Sequence, residues 1–131
     1  MKIVLDSYAF MAYVQKEPGS SQVSKIFAEG VERQGVIFLS LVNWGEIYCC
    51  ISRSDGQKIA EEILQLIDQL PITLVPIDRD LTYSAASFKS RYALSYADCF
   101  AAALAQRENC PVLTGDKEFQ KLHKEIQIKW L

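Results

Sequence analysis

Histidine is almost absent from this chain: His123 is the only one in 131 residues. A two-histidine acid–base mechanism is therefore excluded. The four cysteines, at positions 49, 50, 99 and 110, never fall in a C-x-x-C spacing, which with a single histidine argues against a zinc cage. Positive charge is also short. Lys and Arg number 14 against 16 Asp and Glu, a net charge of −2, which leaves no broad basic face for nucleic acid. Any such contact must be local or depend on a bound cation. No apolar run approaches the ~20 residues that span a bilayer, and no basic-then-apolar leader opens the sequence. These absences point to a cytoplasmic protein with no membrane partner. Internal repeats, low-complexity segments and linkers are missing too. Half the residues are hydrophobic (50%), enough for a full core, and a single domain over 1–131 is expected. Cys49 and Cys50 lie in an apolar stretch and read as small buried hydrophobes in a reducing compartment.

What is present is a regular alternation. Lys2 to Leu5 is a short apolar run rich in β-branched residues, a buried strand ending at Asp6. Phe10, Met11 and Val14 have helical spacing, and Pro18-Gly19 stops that helix. Ser20 or Ser21 is placed to cap a second helix, with Val23, Ile26, Phe27 and Val31 inward and Gly35 at its end. Val36 to Leu39 reads as a strand, Leu41 to Arg53 as a helix, and Asp55-Gly56 as a turn. Gln57 to Leu70 is amphipathic through Ile59, Ile63, Leu66, Ile67 and Leu70. A strand over Ile72 to Ile77, a helix over Arg79 to Tyr92 and an alanine-rich helix over Ser95 to Arg107 follow. The chain closes with a strand over Pro111 to Thr114, a short helix near Glu118 to Leu122 and a strand through Ile126, Ile128 and Trp130. Short apolar strands alternating with helices predict an α/β sandwich on a mostly parallel sheet.

In an open parallel sheet, ligands bind beyond the carboxyl ends of the strands. Asp6 directly follows the first strand and Asp116 comes two residues after Thr114, so both emerge on that edge. Asp98 stands in the first turn of the alanine-rich helix, and Glu46 stands mid-helix among Val42, Asn43, Cys49 and Cys50. A carboxylate on an apolar face needs a partner, and the nearest cation on the Glu46 helix is Arg53, seven residues away. Two carboxylates about 4 Å apart repel by roughly 4 kcal/mol at an effective dielectric near 20. Four of them call for protons or a divalent cation, and an oxygen-only set favours Mg²⁺ or Mn²⁺ over zinc. Each acid also has a structural explanation. Asp6 or Ser7 can cap the first helix, Ser95 to Asp98 fits a capping box, Asp116 can cap the last short helix, and Glu46 can be an exposed helix residue.

Three stretches carry a resemblance to a known family. Val4-Leu5-Asp6-Ser7, Leu94-Ser95-Tyr96-Ala97-Asp98 running on to Ala105, and Leu113-Thr114-Gly115-Asp116-Lys117-Glu118-Phe119 resemble the first, third and fourth acidic motifs of the PIN domain. Asn43 to Ile47 is similar to its second. Within that family the chain looks like the VapC-type toxins of toxin–antitoxin pairs. The resemblance covers nearly the whole chain and departs at none of the four acidic positions. It implies an RNase H-like three-layer α/β/α sandwich with five strands, metal-dependent endoribonuclease activity, a homodimer and a cognate antitoxin. Carried over, Asp6, Asp98 and Asp116 bind metal, Glu46 binds metal or orients water, and Ser7 and Thr114 support the acids by hydrogen bonding. The mechanism that follows is in-line attack of a metal-activated water on an RNA phosphodiester. Arg53, Lys89, Arg91 and Lys117 are the candidates to reach phosphates. Other readings are a non-toxin RNA-processing nuclease, a non-catalytic interaction module, and an Asp-dependent phosphotransfer domain drawing on Asp78 and Lys117.

Overall fold

The computed structural model describes residues 1–33 and 36–131. Five strands form one sheet in the order β3-β2-β1-β4-β5, with every adjacent pair parallel. The strands are β1 (Ile3–Leu5), β2 (Ile37–Ser40), β3 (Thr73–Val75), β4 (Val112–Thr114) and β5 (Ile128–Trp130). Six α-helices connect them: α1 (Ser7–Val14), α2 (Ser20–Glu32), α3 (Leu41–Asp55), α4 (Gln57–Gln69), α5 (Arg79–Arg91) and α6 (Tyr96–Glu108). A 3₁₀ segment, Lys117–Leu122, joins β4 to β5.

Alternation along the strands sets the layers. Ile3, Leu5, Ile37, Leu39 and Leu113 pack with α1, α2, α3 and α4 on one face. Val4, Phe38 and Val112 pack with α5, α6, Phe119 and Leu122 on the other. The result is a three-layer α/β/α sandwich. The central strand β1 is buried on both faces, which is why its sequence is continuously apolar.

The chain leaves β1 toward β2 and β3, then returns to the other side of β1 for β4. Strand order therefore reverses between β1 and β4, and a crevice opens beyond their carboxyl ends. Asp6 and Asp116 lie at that reversal.

Several expectations need correction. Neither Ser20 nor Ser21 caps α2; Gly19, in the left-handed region at φ 97°, stands at the N-cap with no side-chain cap bond. Gly35 lies outside the described residues. Val31 is 68% exposed and Ile59 is 39% exposed, because each sits on the flank of its helix rather than over the sheet. The strand expected over 72–77 shortens to Thr73–Val75, as an edge strand paired only with β2. Cys49 and Cys50 are exposed, whereas Cys99 and Cys110 are buried. α3 turns Ile47 and Ile51 to the core, which leaves Cys49 on the far side and Cys50 on the flank beside the cleft.

Candidate active site

Asp6 is the most deeply placed acid, only 1% exposed. It is also the N-cap of α1: Oδ1 accepts a hydrogen bond from the Ala9 amide at 2.8 Å. Its other oxygen, Oδ2, accepts from the Thr114 hydroxyl at the end of β4. The Thr114 oxygen in turn accepts from the Asp116 amide at 2.9 Å. Asp116 Oδ1 accepts from the Glu118 amide at 3.0 Å and so caps the 3₁₀ segment. A single chain of bonds thus ties the ends of β1 and β4 and fixes both aspartates.

Asp98 comes from the other layer. Ser95 caps α6 by accepting from the Asp98 amide at 3.1 Å, which sets Asp98 in the first turn with its carboxylate at the same edge. Glu46, half-buried on α3, faces it. Glu46, Asp98, Asp116 and Glu118 line one open cleft of about 610 Å³, together with Ser7, Tyr8, Cys50, Leu94 and Lys121. Asp6 lies beneath this cleft and interacts with both Asp98 and Asp116.

The structural roles anticipated for three of the acids are therefore real, and they coexist with the convergence. Capping leaves lone pairs free on every carboxylate. Electrostatics separates these acids from ordinary caps. Burial pushes the Asp6 carboxyl up to about 7, despite the opposing bonds from Thr114 and Ala9, and the charges of Asp98 and Asp116 add to the rise. Burial likewise raises Asp98 to about 6, with Asp116, Glu46 and Glu118 adding repulsion against the lowering effect of Ser95. Burial and mutual repulsion make ionised acids costly at this edge, a cost that a bound cation would offset.

Whether the residues suit a metal can be judged from the donor set. All the converging side chains offer oxygen, the choice of Mg²⁺ or Mn²⁺. Among the described residues no three of His, Cys, Asp and Glu stand close enough to enclose an ion by themselves. What fits is the chemistry of the donors: an oxygen-only set is the kind that hard divalent ions take, with water completing the coordination.

The supporting residues divide. Thr114 bonds to Asp6, but Ser7 does not reach a carboxylate: its hydroxyl donates to the Asn43 carbonyl at 3.2 Å and accepts from Asn43 Nδ2 at 3.4 Å. Asn43 is fully buried, takes a 2.7 Å bond from Ser40 Oγ to its Oδ1 and donates to the Ala97 carbonyl at 3.3 Å. This network binds the first turn of α3, one turn before Glu46, to the first turn of α6, which carries Asp98. Sequence reasoning missed Ser40 and Asn43 as organisers, because both also read as local cap residues.

The phosphate candidates fare differently again. None of Arg53, Lys89, Arg91 and Lys117 lines the cleft. Arg91 pairs with Glu125 at 2.8 Å. Lys89 donates to the Leu94 carbonyl behind the cleft wall. Arg53 and Lys117 are exposed, Arg53 close enough to act on the Cys50 thiol. Among the described lining residues the one cation is Lys121, which had no part in the sequence reading. Its Nζ donates to the Ala93 carbonyl at 2.9 Å and pairs with Glu118. Asp78 caps α5 and pairs with Arg107 at 2.9 Å. It follows the edge strand β3, whereas Lys117 follows β4, with β2 and β1 between them, which does not favour the phosphotransfer reading. His123 is exposed, with Nδ1 2.9 Å from the Gln120 carbonyl.

Comparison with known proteins identifies the fold and the family. No curated protein matches the sequence significantly. Solved structures do match in fold. VapBC2 from Rickettsia felis bound to a promoter DNA fragment is 15% identical with a TM-score of 0.79, covering 100% of this chain and 99% of that one. DNA-bound VapBC from Salmonella typhimurium is 14% identical with a TM-score of 0.78, covering 99% and 98%. VapC20 from Mycobacterium tuberculosis, a sarcin–ricin loop cleaving toxin, is 16% identical with a TM-score of 0.72, covering 92% and 94%. The PIN domain family matches residues 3–125, and the chain belongs to that family.

Proposed function

We propose that the protein is a metal-dependent endoribonuclease and the toxin partner of a toxin–antitoxin pair. The observation that carries the nuclease reading is the convergence of Asp6, Glu46, Asp98, Asp116 and Glu118 at one sheet edge, where Lys121 is the one cation in the lining and is already paired. Asp98 and Asp116 from the cleft walls, and Asp6 from its floor, would hold Mg²⁺ or Mn²⁺. A bound divalent ion supplies charge neutralisation and lowers the pKa of water, so no protein nucleophile is required. Glu46, on the facing wall, orients the attacking water by accepting its hydrogen bond. Thr114 keeps Asp6 aimed by donating to Oδ2, and Asn43, held by Ser40, ties the Glu46 helix to the Asp98 helix through the Ala97 carbonyl.

RNA as substrate and an antitoxin as partner rest on the PIN family match and on the VapBC and VapC structures that share the fold. The same resemblance carries the homodimer. The nuclease test is incubation of purified protein with RNA and Mg²⁺ or Mn²⁺, against an EDTA control and Asp98→Asn. Metal-dependent cleavage lost in the variant is expected; no cleavage of any RNA without antitoxin would overturn the reading. Growth arrest on expression, relieved by the neighbouring small gene's product, separates a toxin from an RNA-processing nuclease.

A further inference from the structure

The cleft presents a problem for its own substrate. Its lining carries Glu17, Glu46, Asp98, Asp116 and Glu118 against Lys121 alone among the described residues, so the phosphates of RNA meet a negative surface. Even a divalent ion leaves that balance negative. Grip must therefore come in part from a feature that does not depend on phosphate charge.

One wall supplies it. Tyr8 and Met11 on α1, and Gln15 at its C-cap, lie three and four residues apart, and all three face the cleft. Tyr8 is 48% exposed, while Ala9 and Phe10 beside it are fully buried. Among the described lining residues it is the one aromatic. Its ring also packs closely against a neighbouring turn. A Cβ on Gly115 would stand 2.3 Å from Tyr8 Cε1 and 2.9 Å from both Cδ1 and Cζ, so the ring lies directly against the backbone of the turn that carries Asp116. Glycine at 115 is what permits this approach.

Resting on the nuclease reading, we propose that Tyr8 is a positioning residue: a clamped aromatic platform on which one base of single-stranded RNA stacks, setting the adjoining phosphodiester over the acids. Stacking on an aromatic ring tolerates any base and needs no positive charge. A duplex hides its base faces within the stack, so the platform selects unpaired RNA. Met11, polarisable and half-buried beside it, extends the apolar surface.

The test compares parent, Tyr8→Phe and Tyr8→Ala. Each is measured for binding of a short fluorescein-labelled RNA in Ca²⁺ by anisotropy, and for cleavage of the same strand in Mg²⁺. Tyr8→Ala should weaken affinity and raise KM by between about fivefold and a hundredfold, the range for one stacked base, with kcat changed much less. Tyr8→Phe should restore the parent values. An abasic strand, which keeps every phosphate, should bind parent and Tyr8→Ala alike, and a duplex should bind the parent less well than the single strand. Unchanged KM and affinity in Tyr8→Ala, or an equal loss on the abasic strand, would overturn the platform while leaving a cleaving parent as a nuclease. A parent that neither binds nor cleaves RNA would overturn both.

Discussion

Asp98 and Glu125 are both acids close to helix α5 and its neighbours, yet their surroundings differ in kind. Glu125 accepts hydrogen bonds from Arg91 at 2.8 Å and 2.9 Å and from the Tyr92 hydroxyl, and these hold its carboxyl below the ordinary value. Asp78 is likewise lowered, first by the Leu81 amide and then by Arg107. Asp98 has no such cation. Burial and three neighbouring acids push it up, as burial does to Asp6. At Glu125 and Asp78, then, the molecule pairs its acids with its own side chains. In the cleft Glu118 has Lys121, and the remaining negative charge is left for something else to neutralise. The contrast locates function better than any single acid does.

The largest expected effect breaks the cleft side of the contrast. Asp98→Asn keeps the shape and the Ser95 cap but removes a charge, and should lower metal-dependent cleavage by at least about a hundredfold with an unchanged circular dichroism spectrum. Thermal stability comes next. A divalent ion at a hundred times its Kd should raise stability by about 2.7 kcal/mol, read as an increase in Tm, and the Asp6→Asn, Asp98→Asn double variant should lose that response. A variant that responds like the parent would put the ion elsewhere.

The pH profile of the metal-free protein gives a third, smaller effect with a definite sign. Asp6 rises from 3.8 to about 7 and Asp98 from 3.8 to about 6 on folding, so the native state binds protons that the unfolded chain has released. Their contribution is fully present below pH 3.8 and is lost as pH climbs through 6 and 7. Tm measured in EDTA should therefore carry a downward component across that window, absent in the double variant. Asp78 and Glu125 work in the opposite sense: their contribution is present above 3.8 and 4.5 respectively and is lost as pH falls. The smallest effect is at Arg91. Arg91→Gln breaks an exposed pair and should shift Tm little and leave cleavage unchanged. A large loss of cleavage would tie the outer pairs to the site and erase the contrast.

Much of this arrangement can be read from particular residues in the sequence. Asp6 and Asp116 are legible because a buried strand leaves a continuous apolar run, and the first polar residue beyond it marks the sheet edge. Asp98 is legible through the Ser95 cap. The five strands and their parallel layering follow from the same runs. What stays hidden depends on distance along the chain. Lys121 reaches the Ala93 carbonyl across 28 positions, and Asn43 reaches Ala97 across 54, and no local pattern encodes either. Gly115 reads as a turn residue, whereas its role is to let the Tyr8 ring approach from a different element. Cys49 and Cys50 mislead for a related reason: composition reports an apolar neighbourhood, but only packing decides which side of α3 faces the core.

The most direct test is calorimetric titration of Mn²⁺ into the metal-free protein near pH 6.5, repeated in buffers of different ionisation enthalpy. Saturable binding is expected, with release of a fraction of a proton or more because Asp6 and Asp98 are raised to about 7 and about 6, and Asp98→Asn should weaken it sharply. Absence of binding, or equal affinity in Asp98→Asn, would contradict the claim that these acids hold a divalent cation.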